Sequence, residues 1–112
     1  MINLKNKKVL ITGATGGIGG SLVEKFHQLE AKIVATGTNE TKLDNLKNKF
    51  SSIITKKFQL NNHDQIEKFI EEVDNKIDGL DILINNAGIT LDNLAIRLNN
   101  ENWKKVLDIN LT

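Results

Sequence analysis

Val9-Leu10-Ile11-Thr12-Gly13-Ala14-Thr15-Gly16-Gly17-Ile18-Gly19 decides how the rest of the chain is read. An apolar run passes directly into a glycine-rich turn, and a helix-compatible stretch, Ser21 to Leu29, follows at once. Uninterrupted apolar composition suits a strand covered on both faces. A turn that opens straight into a helix aims unpaired backbone N–H groups, reinforced by the positive end of the helix dipole, at whatever lies above it. An anionic pyrophosphate is the ligand that best suits this geometry. In the spacing Thr12-Gly13-x-x-x-Gly17-x-Gly19, Gly13 permits the sharp turn off the strand. Gly17 lets the backbone approach phosphate, and Gly19 lets the helix pack tightly on the sheet. A glycine string alone can be no more than a tight turn; the strand before it and the helix after it supply the context of nucleotide binding. A Walker A loop is excluded, because no Lys-Ser/Thr follows the glycines.

Outward from this turn, strand and helix patterns alternate. Lys8 to Thr12 is the first strand, and Ile18, Leu22, Phe26 and Leu29 recur at helical spacing. Ala31 to Thr36 is a second apolar run, after which Asn39 or Thr41 can cap a helix striped by Leu43, Leu46 and Phe50. Ser52 to Leu60 reads as a third strand. Asn62 with Gln65 resembles a capping box ahead of the amphipathic face Ile66, Phe69, Ile70, Val73 and Ile77, and Gly79 sits where that helix should stop. Asp81 to Asn85 is a fourth strand; a polar loop follows, and a last helix is predicted from Glu101 to Thr112. This order implies right-handed crossovers and a Rossmann-type α/β fold, a doubly wound parallel sheet of strand order 3-2-1-4. Its switch point lies between the first and fourth strands. The polar loops Gly13 to Gly19 and Asn85 to Gly88 both follow those strands. The fourth strand has core composition, yet nothing is expected to follow that covers its far side. Residues 1–112 are therefore expected to be the N-terminal part of a single, larger dinucleotide-binding domain; a small complete four-stranded protein is the alternative.

Composition bounds the partners. A net charge of +1 over 112 residues gives no field that would attract nucleic acid or a membrane surface. There is no cysteine, so a disulfide framework and a thiolate metal site are both excluded. No apolar run is long enough for a signal peptide or a membrane span, and a cytoplasmic location is expected. His27 and His63 each lack a second histidine at ligand spacing; both are expected at the surface, with no metal. Lys47 to Lys49 and Glu67 to Asp74 read as solvated helix faces.

The glycine pattern together with Asn85-Asn86-Ala87-Gly88 resembles the classical short-chain dehydrogenase/reductases, from about Lys5 to Thr112. The run from Asn85 through Asp92, Asn93 and Leu94 to Arg97, then Trp103, Val106 and Asn110-Leu111-Thr112, is similar to the bacterial 3-oxoacyl-[acyl-carrier-protein] reductases in particular. The resemblance implies that Gly13, Ala14, Thr15, Gly16, Gly17, Ile18 and Gly19 cradle the pyrophosphate and adenosine ribose of a nicotinamide dinucleotide. Gln59 and Leu60 would lie beside the adenine, where the family usually has Asp or Asn; Gln59 departs from that pattern. Asn86, Ala87 and Gly88 would border the ribose and steady the sheet.

Cofactor choice turns on Thr36-Gly37-Thr38-Asn39. An acidic residue here would hold the 2′-OH of NAD and repel a 2′-phosphate. None is present, and Thr38 can donate a hydrogen bond to the phosphate, so NADP(H) is expected over NAD(H). No arginine stands at this turn, and Gly16 replaces a frequent arginine; Lys42 is a lesser candidate.

Asn110 is the one catalytic candidate. It shares a helical stripe with Trp103, Val106 and Leu107, where an amide needs a partner; neighbouring backbone can supply one. The resemblance instead implies membership of a catalytic tetrad with Ser, Tyr and Lys, in which the Asn holds a water of the proton relay. The chain has no tyrosine, and Ser21, Ser51 and Ser52 lie on the wrong elements. The expectation is thus the cofactor-binding half of an NADPH-dependent reductase of 3-oxoacyl thioesters carried on acyl carrier protein, in fatty acid biosynthesis. The full-length enzyme would be a homotetramer, and the 112-residue piece alone would be inactive. The alternatives are a dehydrogenase of another secondary alcohol or ketone, and a nucleotide-binding module without catalysis.

Overall fold

Four parallel strands form the centre of the structure, a computed structural model that describes residues 4–59, 63–85, 93–98 and 102–106. Strand β1 (Lys8–Thr12) is buried from Val9 to Thr12 and leads through the glycine turn into helix α1 (Gly17–Gln28). Strand β2 (Lys32–Gly37), helix α2 (Glu40–Lys49), strand β3 (Ile54–Lys57), helix α3 (His63–Lys76) and strand β4 (Ile82–Asn85) follow. The spatial order β3-β2-β1-β4 is the one expected from the alternation of elements. Registers are exact enough to trace: Leu10 of β1 lies between Val34 of β2 and Leu83 of β4.

Side chains alternate across the sheet, and each face has its own core. Val9, Ile11, Ile33, Ala35, Ile82 and Ile84 pack with Val23 of α1, and Leu46 and Phe50 close the same layer. Leu10 and Val34 point the other way, onto Phe69 and Val73 of α3 and onto Leu80. Helices on both faces explain why the strands read as continuous apolar runs.

Local chemistry sets the element ends. Asn39, rather than Thr41, is the cap of α2: its side-chain oxygen accepts the Lys42 N–H at 3.0 Å. Helix α3 stops as expected at Gly79, which follows Asp78 (φ 61°) and itself has φ 110°. The Gly79 N–H donates to the Asp74 carbonyl at 2.8 Å, closing the helix end. The Asp74 carboxylate accepts the Leu80 N–H at 2.6 Å, and that of Asp81 accepts the Lys8 N–H at 2.9 Å. Asn62 of the expected capping box lies outside the described residues.

The structure corrects several expectations. Helix α1 begins at Gly17, not Ser21, and is rotated so that Gly19 and Val23 face inward. Of the stripe Ile18, Leu22, Phe26 and Leu29, only Leu22 and Phe26 pack on the core; Ile18 is 47% and Leu29 42% exposed. Strand β3 is shorter than Ser52 to Leu60. Lys47 is not simply solvated, since its ammonium donates to the Ile53 carbonyl.

The largest correction concerns the segment after β4. Strands β5 (Asn93–Leu98) and β6 (Asn102–Val106) stand where a loop and the start of the Glu101–Thr112 helix were expected. Strand β5 pairs antiparallel with β4, from Asn85↔Asn93 to Ile82↔Ile96, and β6 pairs antiparallel with β5. The far side of β4 is therefore covered. An apolar strand leaves a row of unpaired N–H and C=O groups at its edge, and a neighbouring hairpin satisfies them. That demand outweighs the helical spacing of Trp103 and Val106; Leu107 and Asn110 of the same expected stripe lie outside the described residues. Among the described residues, no helix is long and apolar enough to cross a membrane.

Candidate functional site

The carboxyl ends of β1, β2 and β3 are tied together by backbone. Gly13 turns with φ 62°, a left-handed conformation that glycine adopts without a side-chain penalty. The Ala14 N–H then donates to the Thr36 carbonyl, and the Phe58 N–H donates to the Gly37 carbonyl, each at 2.9 Å. On the other flank, the Thr12 hydroxyl reaches the Ile84 carbonyl at 3.5 Å. The carboxyl ends of β1 and β4 are thus held by fixed backbone, at the switch point where doubly wound sheets bind ligands.

The glycines have separate tasks. A Cβ on Gly19 would lie 2.1 Å from the Gly13 carbonyl oxygen and 2.7 Å from Ala14 Cα, so the helix meets the turn there with no room for a side chain. A Cβ on Gly17 would meet nothing within 4 Å. Gly17 therefore owes nothing to packing; the open space above it is where a ligand can approach. Gly16 caps α1 with no side-chain hydrogen bond, and no acidic residue stands in the first turn. The first N–H groups of a helix have no intrahelical partner. An uncapped, acid-free start leaves them and the dipole available to an anion.

Beside the turn, a hollow of about 340 Å³ is lined by Gly13, Thr15, Thr36, Gly37, Thr38, Phe58 and Gln59. No charged side chain is among them. Phe58 is backed by Phe69, with ring centroids 3.9 Å apart and planes at 14°, and the Lys56 ammonium sits 5.4 Å over the Phe69 ring. A flat apolar wall, an exposed amide at Gln59 and hydroxyls at Thr15 and Thr38 suit an adenosine. A second hollow, of about 360 Å³, opens along α1 between Gly17, Ile18, Ser21 and Leu22.

Of the residues expected to bind cofactor, Gly13, Thr15, Thr38 and Gln59 are brought together around the first hollow, and Gly17 and Ile18 line the second. Gly16 caps the helix between them, whereas Ala14 and Gly19 are buried and shape the turn from below. Leu60, Asn86, Ala87, Gly88 and the catalytic candidate Asn110 lie outside the described residues. Sequence reasoning missed Gly37 and Phe58. The signal for Gly37 was a residue without a side chain directly before Thr38. For Phe58 it was an aromatic ring adjoining Gln59 at the end of a strand. His27 is half-buried, its ring tilted against that of Phe50 with centroids 4.9 Å apart. Among the described residues, no group of three His, Cys, Asp or Glu side chains could hold a metal.

Comparison with known proteins agrees with this geometry. The sequence pattern of the family described as short chain dehydrogenase matches residues 7–112. A 3-oxoacyl-[acyl-carrier-protein] reductase of Rickettsia bellii is 42% identical over 99% of the chain, which spans 45% of that relative. The corresponding reductase of Rickettsia felis is 44% identical with the same coverage. Nodulation protein G of a Rhizobium species is 37% identical over the whole chain, which spans 46% of it. The chain thus covers a little under half the length of these relatives. Among solved structures, a short chain dehydrogenase from Bacillus anthracis superposes with a TM-score of 0.66 at 36% identity, over 78% of this chain and 37% of its own. One from Mycobacterium smegmatis gives 0.68 at 26% identity, over 78% and 38%. With the pattern matched from residue 7 onward, and with the sheet order and glycine turn that carry it, this chain belongs to the short-chain dehydrogenase family.

Proposed function

We propose that residues 1–112 are the cofactor-binding half of an NADPH-dependent 3-oxoacyl-[acyl-carrier-protein] reductase acting in cytoplasmic fatty acid biosynthesis. The observation that carries the reading is the start of α1, which has no side-chain cap and no acidic residue, beside a Gly17 with open space above it. The pyrophosphate would rest on the N–H groups there, and the adenosine would lie in the hollow between Thr15, Thr38, Phe58 and Gln59. That no carboxylate is among the described residues lining that hollow favours a 2′-phosphate over a bare 2′-OH, hence NADP(H) over NAD(H). When bound, the cofactor supplies a hydride. This chain's part is to hold its adenosine half rigidly, so that the reacting end is positioned. The substrate assignment rests on likeness to reductases that share 42–44% of these residues.

Asn110 would hold a water of the proton relay in a longer protein that also supplies Ser, Tyr and Lys, and such a protein would be a homotetramer. With no tyrosine in the chain, there is no Tyr-x-x-x-Lys to protonate a ketone oxygen. That favours a second reading for the chain taken alone, a nucleotide-binding module without turnover. Likeness to a relative named for nodulation keeps a third reading open, a dehydrogenase acting on another secondary alcohol or ketone.

Titration of the chain into NADPH, followed by nicotinamide fluorescence and calorimetry, tests the first point. Saturable binding, tighter for NADPH than for NADH, is expected; no heat with either would overturn the proposal. Reduction of an acetoacetyl thioester should be undetectable with the 112-residue chain. It should appear when the chain is extended by its in-frame downstream sequence, if that encodes Tyr-x-x-x-Lys. Turnover of other ketones but not of the thioester would shift the assignment to the third reading.

A further inference from the structure

We propose that Gly37 and Thr15 form a matched pair that sets cofactor specificity: the missing side chain at Gly37 lets the Thr15 hydroxyl stand over the ribose 2′ position. The inference rests on the adenosine placement proposed above. Gly37 is the last residue of β2, buried and with no positive φ, so nothing in its backbone calls for glycine. What calls for it is Thr15. A Cβ on Gly37 would lie 2.8 Å from Thr15 Cγ2, 3.0 Å from Oγ1 and 3.5 Å from Cβ.

Neither backbone can move away. The Ala14 N–H is bonded to the Thr36 carbonyl and the Phe58 N–H to the Gly37 carbonyl, so the backbone is pinned on both sides of the contact. Rotating Thr15 does not help either. Its two γ atoms flank the Gly37 position, and a 120° turn about χ1 leaves at least one of them there. A serine carries a single γ atom and loses the closest contact, that of the methyl group. Threonine at 15 and glycine at 37 are therefore sterically interdependent.

The pair also faces the ligand. Thr15, Gly37 and Thr38 line the same hollow, at the end of the second strand where doubly wound folds read the ribose 2′ substituent. Among the described residues, the Thr15 hydroxyl has no hydrogen-bond partner and is free to donate to a phosphate oxygen. No cation is among the described residues that line the hollow, so hydroxyl donors carry the recognition that an arginine would otherwise supply.

The test uses two probes that differ only at the 2′ position and need no nicotinamide subsite: adenosine 2′,5′-bisphosphate and 5′-AMP. Calorimetry on the 112-residue chain should show tighter binding of the bisphosphate. Thr15→Val keeps the shape and removes the donor; it should weaken the bisphosphate about tenfold and change AMP less than threefold. Gly37→Ala should show the same selective loss, because the added methyl displaces the hydroxyl. The double variant Gly37→Ala/Thr15→Ser should recover most of the bisphosphate affinity. Equal loss of both probes, with no recovery in the double variant, would mean that Gly37 is purely structural and would overturn the inference. So would unchanged binding in Gly37→Ala. If the unmodified chain binds neither probe, the adenosine placement fails first, and the inference falls with it.

Discussion

A methyl group added at Gly19 and one added at Gly17 meet opposite surroundings, although the two residues are neighbours in one turn. At Gly19 the new carbon would overlap the Gly13 carbonyl and Ala14 Cα, which are backbone atoms that cannot rotate away. Gly19→Ala should destabilise the fold by about 3 kcal/mol or prevent folding, as overpacking at an immovable contact does. At Gly17 the methyl enters empty space at the first turn of a helix. Gly17→Ala should change the unfolding free energy by less than about 1 kcal/mol. On the pyrophosphate placement proposed above, NADPH affinity should nevertheless fall about tenfold, because the methyl would occupy the space left for the phosphate. Urea denaturation beside a fluorescence titration separates the two effects. A stable Gly19→Ala, or a Gly17→Ala that binds normally, would refute the division of labour.

Helix α2 depends on its cap more than its neighbours do. Only Leu43 is fully buried along its length, against Gly19 and Val23 on α1 and the Phe69–Val73 pair on α3. Losing the Asn39 side-chain acceptor should therefore show locally. Asn39→Ala is expected to cost about 1 kcal/mol and to speed amide exchange at Lys42 and Leu43 before it affects the strands, which hydrogen exchange would resolve. The same contrast explains what could be read from the residues alone. Strand β1, the glycine turn and the order of the parallel strands were legible because each has a strong, local signature: an apolar run, a glycine spacing, a right-handed crossover rule. The inward face of α1 was legible only at Gly19, whose glycine spacing gave its packing away; the apolar spacing from Ile18 to Leu29 drew attention from Val23, the side chain that is buried beside it. The steric reason for glycine at 37 was illegible, since it comes from Thr15, distant in sequence. The segment from 93 to 106 supports two periods at once. Leu94, Ile96 and Leu98 alternate as a strand does, while Trp103 and Val106 also fit a helix. Only the open edge of β4 decides between them.

The two-sided sheet makes β1 the most heavily used strand. Leu10 is fully buried and meets Phe69 and Val73 from across the sheet. Leu10→Ala should remove about 3 kcal/mol of stability, a large share of what a domain of this size possesses. Beyond β4 the sheet changes direction, and the antiparallel register itself can be tested. Leu83 and Ala95 are directly opposed across β4 and β5. Opposed residues in an antiparallel pair have Cα atoms about 4.5 or 5.5 Å apart, and both spacings lie within the disulfide range. The chain has no cysteine, so Leu83→Cys with Ala95→Cys can form one intramolecular bond only. That bond should form under mild oxidation and make the oxidised form more stable than the reduced form by about 3 kcal/mol, through the short loop it closes. A register slipped by one residue would turn the two side chains to opposite faces, and no bond would form. Failure to cross-link, with Leu83→Cys alone still folded, would show that the edge of β4 is covered by something other than this hairpin. The six-stranded order would then reduce to its four parallel strands, leaving the glycine turn and the hollow beside it intact.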